Sequence, residues 1–153
     1  MSYISDMRRY IGHRPLINAG ATVIVLNDAG EILLNLRSDT ETWGIIGGGM
    51  EPGESLEETA ARELFEETGL KAEGFELLDV LSGREMYFRY PNGDETYTVA
   101  AVCKASGISG ELRINDGESL DLKAAPHNPR LTPLHVICLH FFRHSTQILL
   151  AVA

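Results

Sequence analysis

The chain has 153 residues, enough for one domain with its own core, and its 44% hydrophobic and 23% charged content matches a folded globular chain rather than a disordered or fibrous one. A net charge of -9 argues against a broad basic face, so neither a nucleic-acid polymer nor an anionic membrane is expected as a partner. A small phosphorylated ligand stays open, because bound cations can supply positive charge locally.

The two cysteines, Cys103 and Cys138, have no C-x-x-C spacing and are too few for a disulfide framework. They read as buried small apolar residues in a reducing compartment. The lead segment from Met1 to Arg14 carries Arg8, Arg9 and Arg14 but no apolar stretch long enough for a signal peptide or a spanning helix, so a cytoplasmic protein is expected. A surface strand or arm is the simplest expectation for it, with a pocket wall or a homodimer contact as the alternatives.

Ala21 to Leu26 is a β-branched apolar run, followed by the turn residues Asn27-Asp28-Ala29-Gly30 and a second strand from Glu31 to Arg37. The two should pair as a hairpin. Trp43 to Ile46, with Trp43 as a core anchor, leads into Gly47-Gly48-Gly49. Glycines there allow backbone to approach a phosphate or a metal closely, although by themselves they describe any sharp loop.

The segment from Gly48 to Leu70 concentrates the chemistry. Ser55 and Glu58 make a capping box and Gly69 a C-terminal stop, so the spacing predicts a helix from Leu56 to Thr68. Glu63, Glu66 and Glu67 stand at i, i+3 and i+4 on one face, while Ala61, Leu64, Phe65 and Thr68 form an apolar stripe on the roughly opposite face. Like charges at this spacing repel by roughly a few tenths of a kcal/mol per pair, a sign that a bound cation reverses. Carboxylates are hard ligands for Mg2+, Mn2+ or Ca2+; the plainer reading of such a face is a solvated one.

Beyond this segment, Phe75 to Leu81 and Glu85 to Tyr90 read as strands. Pro91-Asn92-Gly93-Asp94 is the clearest hairpin signal, with Glu95 to Lys104 returning antiparallel and Leu112 to Ile114 adding a short strand before Asn115-Asp116-Gly117. Several strands around one well-marked helix indicate an α+β mixed sheet. The tail differs in composition: all 22 acidic residues lie at or before Asp121, and four of the five histidines, His127, His135, His140 and His144, lie after it. The apolar stretches from Leu131 to Phe142 and from Ile148 to Ala153 are suited to packing on the sheet or on a second subunit. The histidine spacings fit a shared helix face poorly, so scattered histidines are expected rather than a metal site.

Written out, Gly48 to Leu70 is G-x5-E-x7-R-E-U-x-E-E-x-G-U with U aliphatic, fixed by Gly48, Glu54, Arg62, Glu63, Leu64, Glu66, Glu67, Gly69 and Leu70. It resembles the signature box of the Nudix hydrolases at every specified position. The resemblance runs from about Ile17 to Leu122, within a single domain expected over the whole chain. It implies the Nudix fold, a mixed β-sheet sandwiched between α-helices, and hydrolysis of a nucleoside diphosphate linked to a group X with Mg2+ or Mn2+.

Carried over by position, Glu63, Glu66 and Glu67 would be metal ligands, Glu54 and Arg62 would complete the catalytic cluster, and Gly48 would contribute its backbone at the substrate. Ile46 departs from the proline common in similar chains before the glycine pair, a change in loop rigidity more than chemistry. The acid-free tail departs from the acidic amphipathic helix with which similar chains end, and could mark a divergent or frame-altered end.

A pyrophosphate linkage repels hydroxide, so its oxygens must be neutralised and water delivered in line. The general base is not identified by the box: Glu118 is the first candidate and Glu95 the second, each competing with a solvated loop carboxylate. Arg37, Arg84 and Arg89 are candidates for phosphate contacts, against surface salt bridges. The expected substrate is a nucleotide sugar such as ADP-ribose. The alternatives are house-cleaning of oxidised nucleoside triphosphates, or a nucleotide-binding module that has lost catalysis.

Overall fold

The computed structural model describes residues 2–115 and 117–126. Helix α1 (Tyr3–Ile11) is followed by strands β1 (Leu16–Ile24), β2 (Glu31–Arg37) and β3 (Trp43–Gly49), then helix α2 (Leu56–Thr68). The short β4 (Leu70–Lys71), then β5 (Gly74–Leu81), β6 (Tyr87–Arg89), β7 (Glu95–Ser106), the short β8 (Ser109–Gly110) and β9 (Ser119–Pro126) complete the described chain. The main sheet has the order β5-β7-β1-β3-β2-β9, with β6 also paired to β7 and β4 paired separately to β8. It is mixed because β1 and β7 run parallel over Leu16↔Thr96 to Ile24↔Lys104 while the other ladders are antiparallel. The α+β expectation therefore holds.

Several local expectations are corrected. The lead segment is a helix, with Ser2 as its N-cap in a capping box with Ser5, rather than a strand or arm. Strands β1 and β2 form a hairpin only at its base, where Leu26 bridges Ile32 and the Leu33 N–H donates to the Val25 carbonyl; beyond it β3 inserts between them. Glu85 to Tyr90 divides into a 3-10 turn at Arg84–Met86 and the three-residue β6. Leu112 to Ile114 is irregular, and its leucine and isoleucine are exposed. Cys103 is buried as expected. The expectations for Cys138, the tail histidines and the tail's apolar stretches lie outside the described residues.

The sheet has an apolar cluster on each face. One joins Val23, Leu33 and Ile46 to Ala60 and Leu64 of α2; the other contains Ile24, Ile32, Leu34, Ala100 and Val102. The strand period of two puts Leu33 and Asn35 on the helix side of β2, and Ile46 and Gly48 on the helix side of β3. This alternation sets what lies beneath α2.

Helix α2 keeps its predicted bounds: Ser55 and Glu58 form the capping box and Gly69 takes the left-handed C-cap conformation at φ 71. Its buried face is only partly the expected one: Leu64 and Thr68 of the expected stripe are buried. Ala61 and Phe65 are exposed, and the side turned to the sheet carries Thr59, Ala60, Leu64, Glu67 and Thr68. The acidic face therefore adjoins the sheet instead of opposing it.

Candidate active site

Arg62 is the hub of the acidic cluster. Its Nε and Nη2 form a two-pronged pair with Glu54, at 2.6 Å to Oε1 and 3.0 Å to Oε2. Nη1 reaches Glu63 at 2.6 Å and Glu66 at 3.0 Å, and Nη2 also donates to the Gly49 carbonyl at 2.8 Å. One guanidinium thus ties the loop carboxylate, two helix carboxylates and the glycine strand together. Its planar fork makes this arrangement, which a lysine's single ammonium cannot copy.

Glu54 is further held by the Thr59 hydroxyl at 3.0 Å and the Glu51 N–H at 2.9 Å. The Arg62 pair, with these two bonds, lowers its carboxyl to about 2. Glu63 moves the opposite way. Its carboxyl is raised because burial outweighs the attraction of Arg62, with Glu66 and Glu118 adding repulsion. Arg62 is itself held more firmly charged, but its one positive charge is divided among three carboxylates.

Two backbone features admit the carboxylates. A Cβ on Gly48 would overlap the Glu63 carboxylate, so only glycine lets that group lie against β3. Gly47 has φ 148, and a Cβ there would run into the Ala21 carbonyl of β1. Glu67 is 7% exposed; its Oε2 accepts from Asn35 Nδ2 at 2.8 Å and its Oε1 faces the Gly47 N–H at 3.5 Å. Glu66 is the outermost of the three, with half its side chain exposed.

Beside Glu67 lies a cavity of about 320 Å³, lined also by Asn35, Arg37, Ser38, Asp39, Glu118 and Ser119. Arg37 reaches it, but its guanidinium is engaged by Asp39, at 3.0 Å from Nε and 2.6 Å from Nη2. The Glu118 carbonyl accepts from the Ser38 N–H at 2.9 Å, which pins this loop against the end of β2.

The site residues expected from sequence therefore gather in one region: Gly48, Glu54, Arg62, Glu63, Glu66 and Glu67, with Arg37 and Glu118 at the adjoining cavity. Glu95 does not join them. The level of Gly48 on β7 is Ala101, reached through Ala21, and Glu95 lies six residues lower, roughly 20 Å along the strand, where it accepts from the Tyr87 hydroxyl. Thr59, Asp39 and Asn35 were not anticipated. Asn35 alone had a visible signal, as a polar residue inside the run Ile32-Leu33-Leu34-Asn35-Leu36.

The donor set fits a hard divalent cation: three carboxylates on one helix, one of them raised by burial with neighbouring like charge adding to it, and a glycine strand without side chains beside them. As arranged, no three acidic, histidine or cysteine side chains among the described residues converge as ligands. Arg62 Nη1 is shared between Glu63 and Glu66, and Glu67 is turned to Asn35.

The family model for the NUDIX domain matches residues 16–149, beginning beside the start expected from sequence and continuing into the tail. A putative 8-oxo-dGTP diphosphatase of Bacillus subtilis is 55% identical over 53 residues, 35% of this chain and 36% of that protein. An RNA pyrophosphohydrolase of Pectobacterium carotovorum is 35% identical over 79 residues, 52% of this chain and 41% of that protein. The chain thus spans less than half the length of these curated relatives. A MutT NUDIX hydrolase from Burkholderia pseudomallei, solved by crystallography, superposes with a TM-score of 0.62 at 28% identity, over 81% of this chain and 96% of that one.

Proposed function

The chain belongs to the NUDIX domain family, and from that premise we propose that it is a divalent-cation-dependent pyrophosphohydrolase of a small nucleotide. The observation that carries the reading is the assembly of Glu54, Arg62, Glu63, Glu66 and Glu67 around the glycine strand, beside a cavity large enough for part of a nucleotide. Glu63, Glu66 and Glu67 would hold Mg2+ or Mn2+, which supplies neutralisation of the phosphoryl oxygens and acidification of water. Arg62 fixes Glu54 and the helix carboxylates, Gly48 keeps its face clear for Glu63, and Arg37 with Asp39 shapes the cavity wall. Glu118 is the favoured proton acceptor, since it lines the same cavity as Glu67 and lies near enough to Glu63 to raise it.

For the substrate, similarity to the putative 8-oxo-dGTP diphosphatase lends support to an oxidised nucleoside triphosphate, and similarity to the RNA pyrophosphohydrolase to a 5′-triphosphorylated RNA end. A nucleotide sugar such as ADP-ribose, the substrate expected from sequence, becomes the second reading, because neither relative is named for it although the fold and box are shared between these chemistries. A panel of ADP-ribose, normal and oxidised nucleoside triphosphates and 5′-triphosphorylated RNA, run with Mg2+ or Mn2+ and scored by product identity, decides between them. Glu67→Gln should abolish turnover of the preferred substrate with an unchanged circular dichroism spectrum. Full turnover in that variant, or a nucleotide that stabilises the fold and is never cleaved, would sink the enzyme assignment.

A further inference from the structure

We propose that Asn35 is a positioning residue for Glu67, fixing that carboxylate in one orientation for a divalent cation; this rests on the reading of Glu67 as a cation ligand. Asn35 sits in β2 after three buried aliphatic residues and is itself 3% exposed. An apolar side chain would continue the pattern of its strand. Its amide nitrogen instead donates to Glu67 Oε2 at 2.8 Å, with Ser119 Oγ at 3.5 Å.

The orientation of the amide follows from its partner. An ionised carboxylate only accepts, so the NH2 group must face Glu67 and the oxygen must face away. That oxygen, Oδ1, is buried beside Gly44 without a hydrogen-bond partner among the described residues. A purely structural asparagine in a sheet interior is expected to satisfy both ends of its amide. Here one end is left bare while the other is spent on Glu67.

The chemistry of the donor matters too. Arg62 brings a positive charge to Glu63 and Glu66. Asn35 brings an N–H without charge, so it orients Glu67 without competing electrostatically with a cation. Its bond to Oε2 sets the turn of the carboxylate, and Oε1 is left toward the glycine strand at Gly47. A neutral hydrogen-bond donor behind a ligating side chain is a general way to set ligand orientation and raise affinity.

The test measures Mn2+ binding by the full chain without nucleotide, by electron paramagnetic resonance of free Mn2+, alongside thermal melting. Asn35→Leu, close in size and unable to donate, should raise the Mn2+ dissociation constant about tenfold, and should also lower the metal-free melting temperature because the buried Glu67 carboxylate loses its donor. Asn35→Ala serves if the leucine variant does not fold. Either change should add nothing in a Glu67→Gln background, where the group being oriented is already altered. Wild-type Mn2+ affinity in both Asn35 variants, with weakened binding in Glu67→Gln, overturns the role of Asn35 and leaves Glu67 as a ligand. Equal weakening with and without Glu67 overturns it as well. Undiminished binding in Glu67→Gln removes the ligand reading and the inference together.

Discussion

Glu54→Gln isolates the charge of the loop carboxylate, because glutamine keeps the shape and can still accept from Thr59 and the Glu51 N–H. The carboxyl drops from its ordinary 4.5 to about 2 in the fold, chiefly through Arg62, a gap of about 2.5. At 1.36 kcal/mol per unit this sets a ceiling of roughly 3 kcal/mol. Its side chain is 19% exposed, so solvent screening reduces the expected effect to about 1.5–2 kcal/mol, or roughly 4–8 °C in melting temperature. The sign follows from the depressed folded value: the contribution is complete above 4.5 and disappears as the pH falls through about 2. Urea unfolding of both proteins in EDTA, at steps between pH 7 and 2, should show a stability gap that closes in acid. A gap equally wide at pH 7 and pH 2 would refute the account, since it would then come from shape and not charge.

Gly48→Ala should cut turnover by at least about tenfold at little cost in stability, because the new methyl displaces the Glu63 carboxylate; steady-state kinetics with a melting curve separates the two effects. Glu63→Gln should melt higher than the wild type in EDTA at pH 8 while losing activity. Its raised carboxyl disfavours the charged form in the fold, so the penalty is present at high pH and relieved in acid, where the two melting temperatures should converge. Glu118→Gln should lower kcat about a hundredfold with KM little changed and flatten the acid limb of the pH–rate profile; an unaltered limb assigns the proton transfer elsewhere.

The parts of this architecture that were legible in sequence are those decided locally. The ends of α2 follow from Ser55, Glu58 and Gly69, each acting within four residues of the helix terminus, and both bounds match. The turn at Pro91-Asn92-Gly93-Asp94 likewise joins β6 to β7 as its residues indicate. The β1–β2 hairpin was only half legible, because the insertion of β3 depends on its pairing with both strands, including Gly20↔Gly49 on one side and Asn35↔Gly44 on the other. Likewise the box residues were readable from spacing, whereas Arg37, Asp39, Glu118 and Ser119 meet only because β9 returns beside β2.

The rotation of α2 has a physical cause that no count along the helix contains. Ala61 and Phe65 complete an apolar stripe on paper, yet the helix turns Ala60 and Glu67 toward the sheet instead. What lies beneath decides this. The strand under its middle turns offers Ile46 for Leu64 to pack on, then Gly48, whose bare face admits the Glu63 carboxylate. Beyond these, Asn35 meets Glu67 with an amide. A charge taken into such a place costs several kcal/mol unless hydrogen bonds or a cation offset it. With aliphatic residues at Gly48 and Asn35, the same helix would do better rolled onto Ala61 and Phe65, leaving its glutamates in water. The acidic face is therefore held against the sheet by the sheet's own departures from apolar packing, and it is this pairing of glycine and amide with carboxylate that turns a solvated helix face into a candidate cation site.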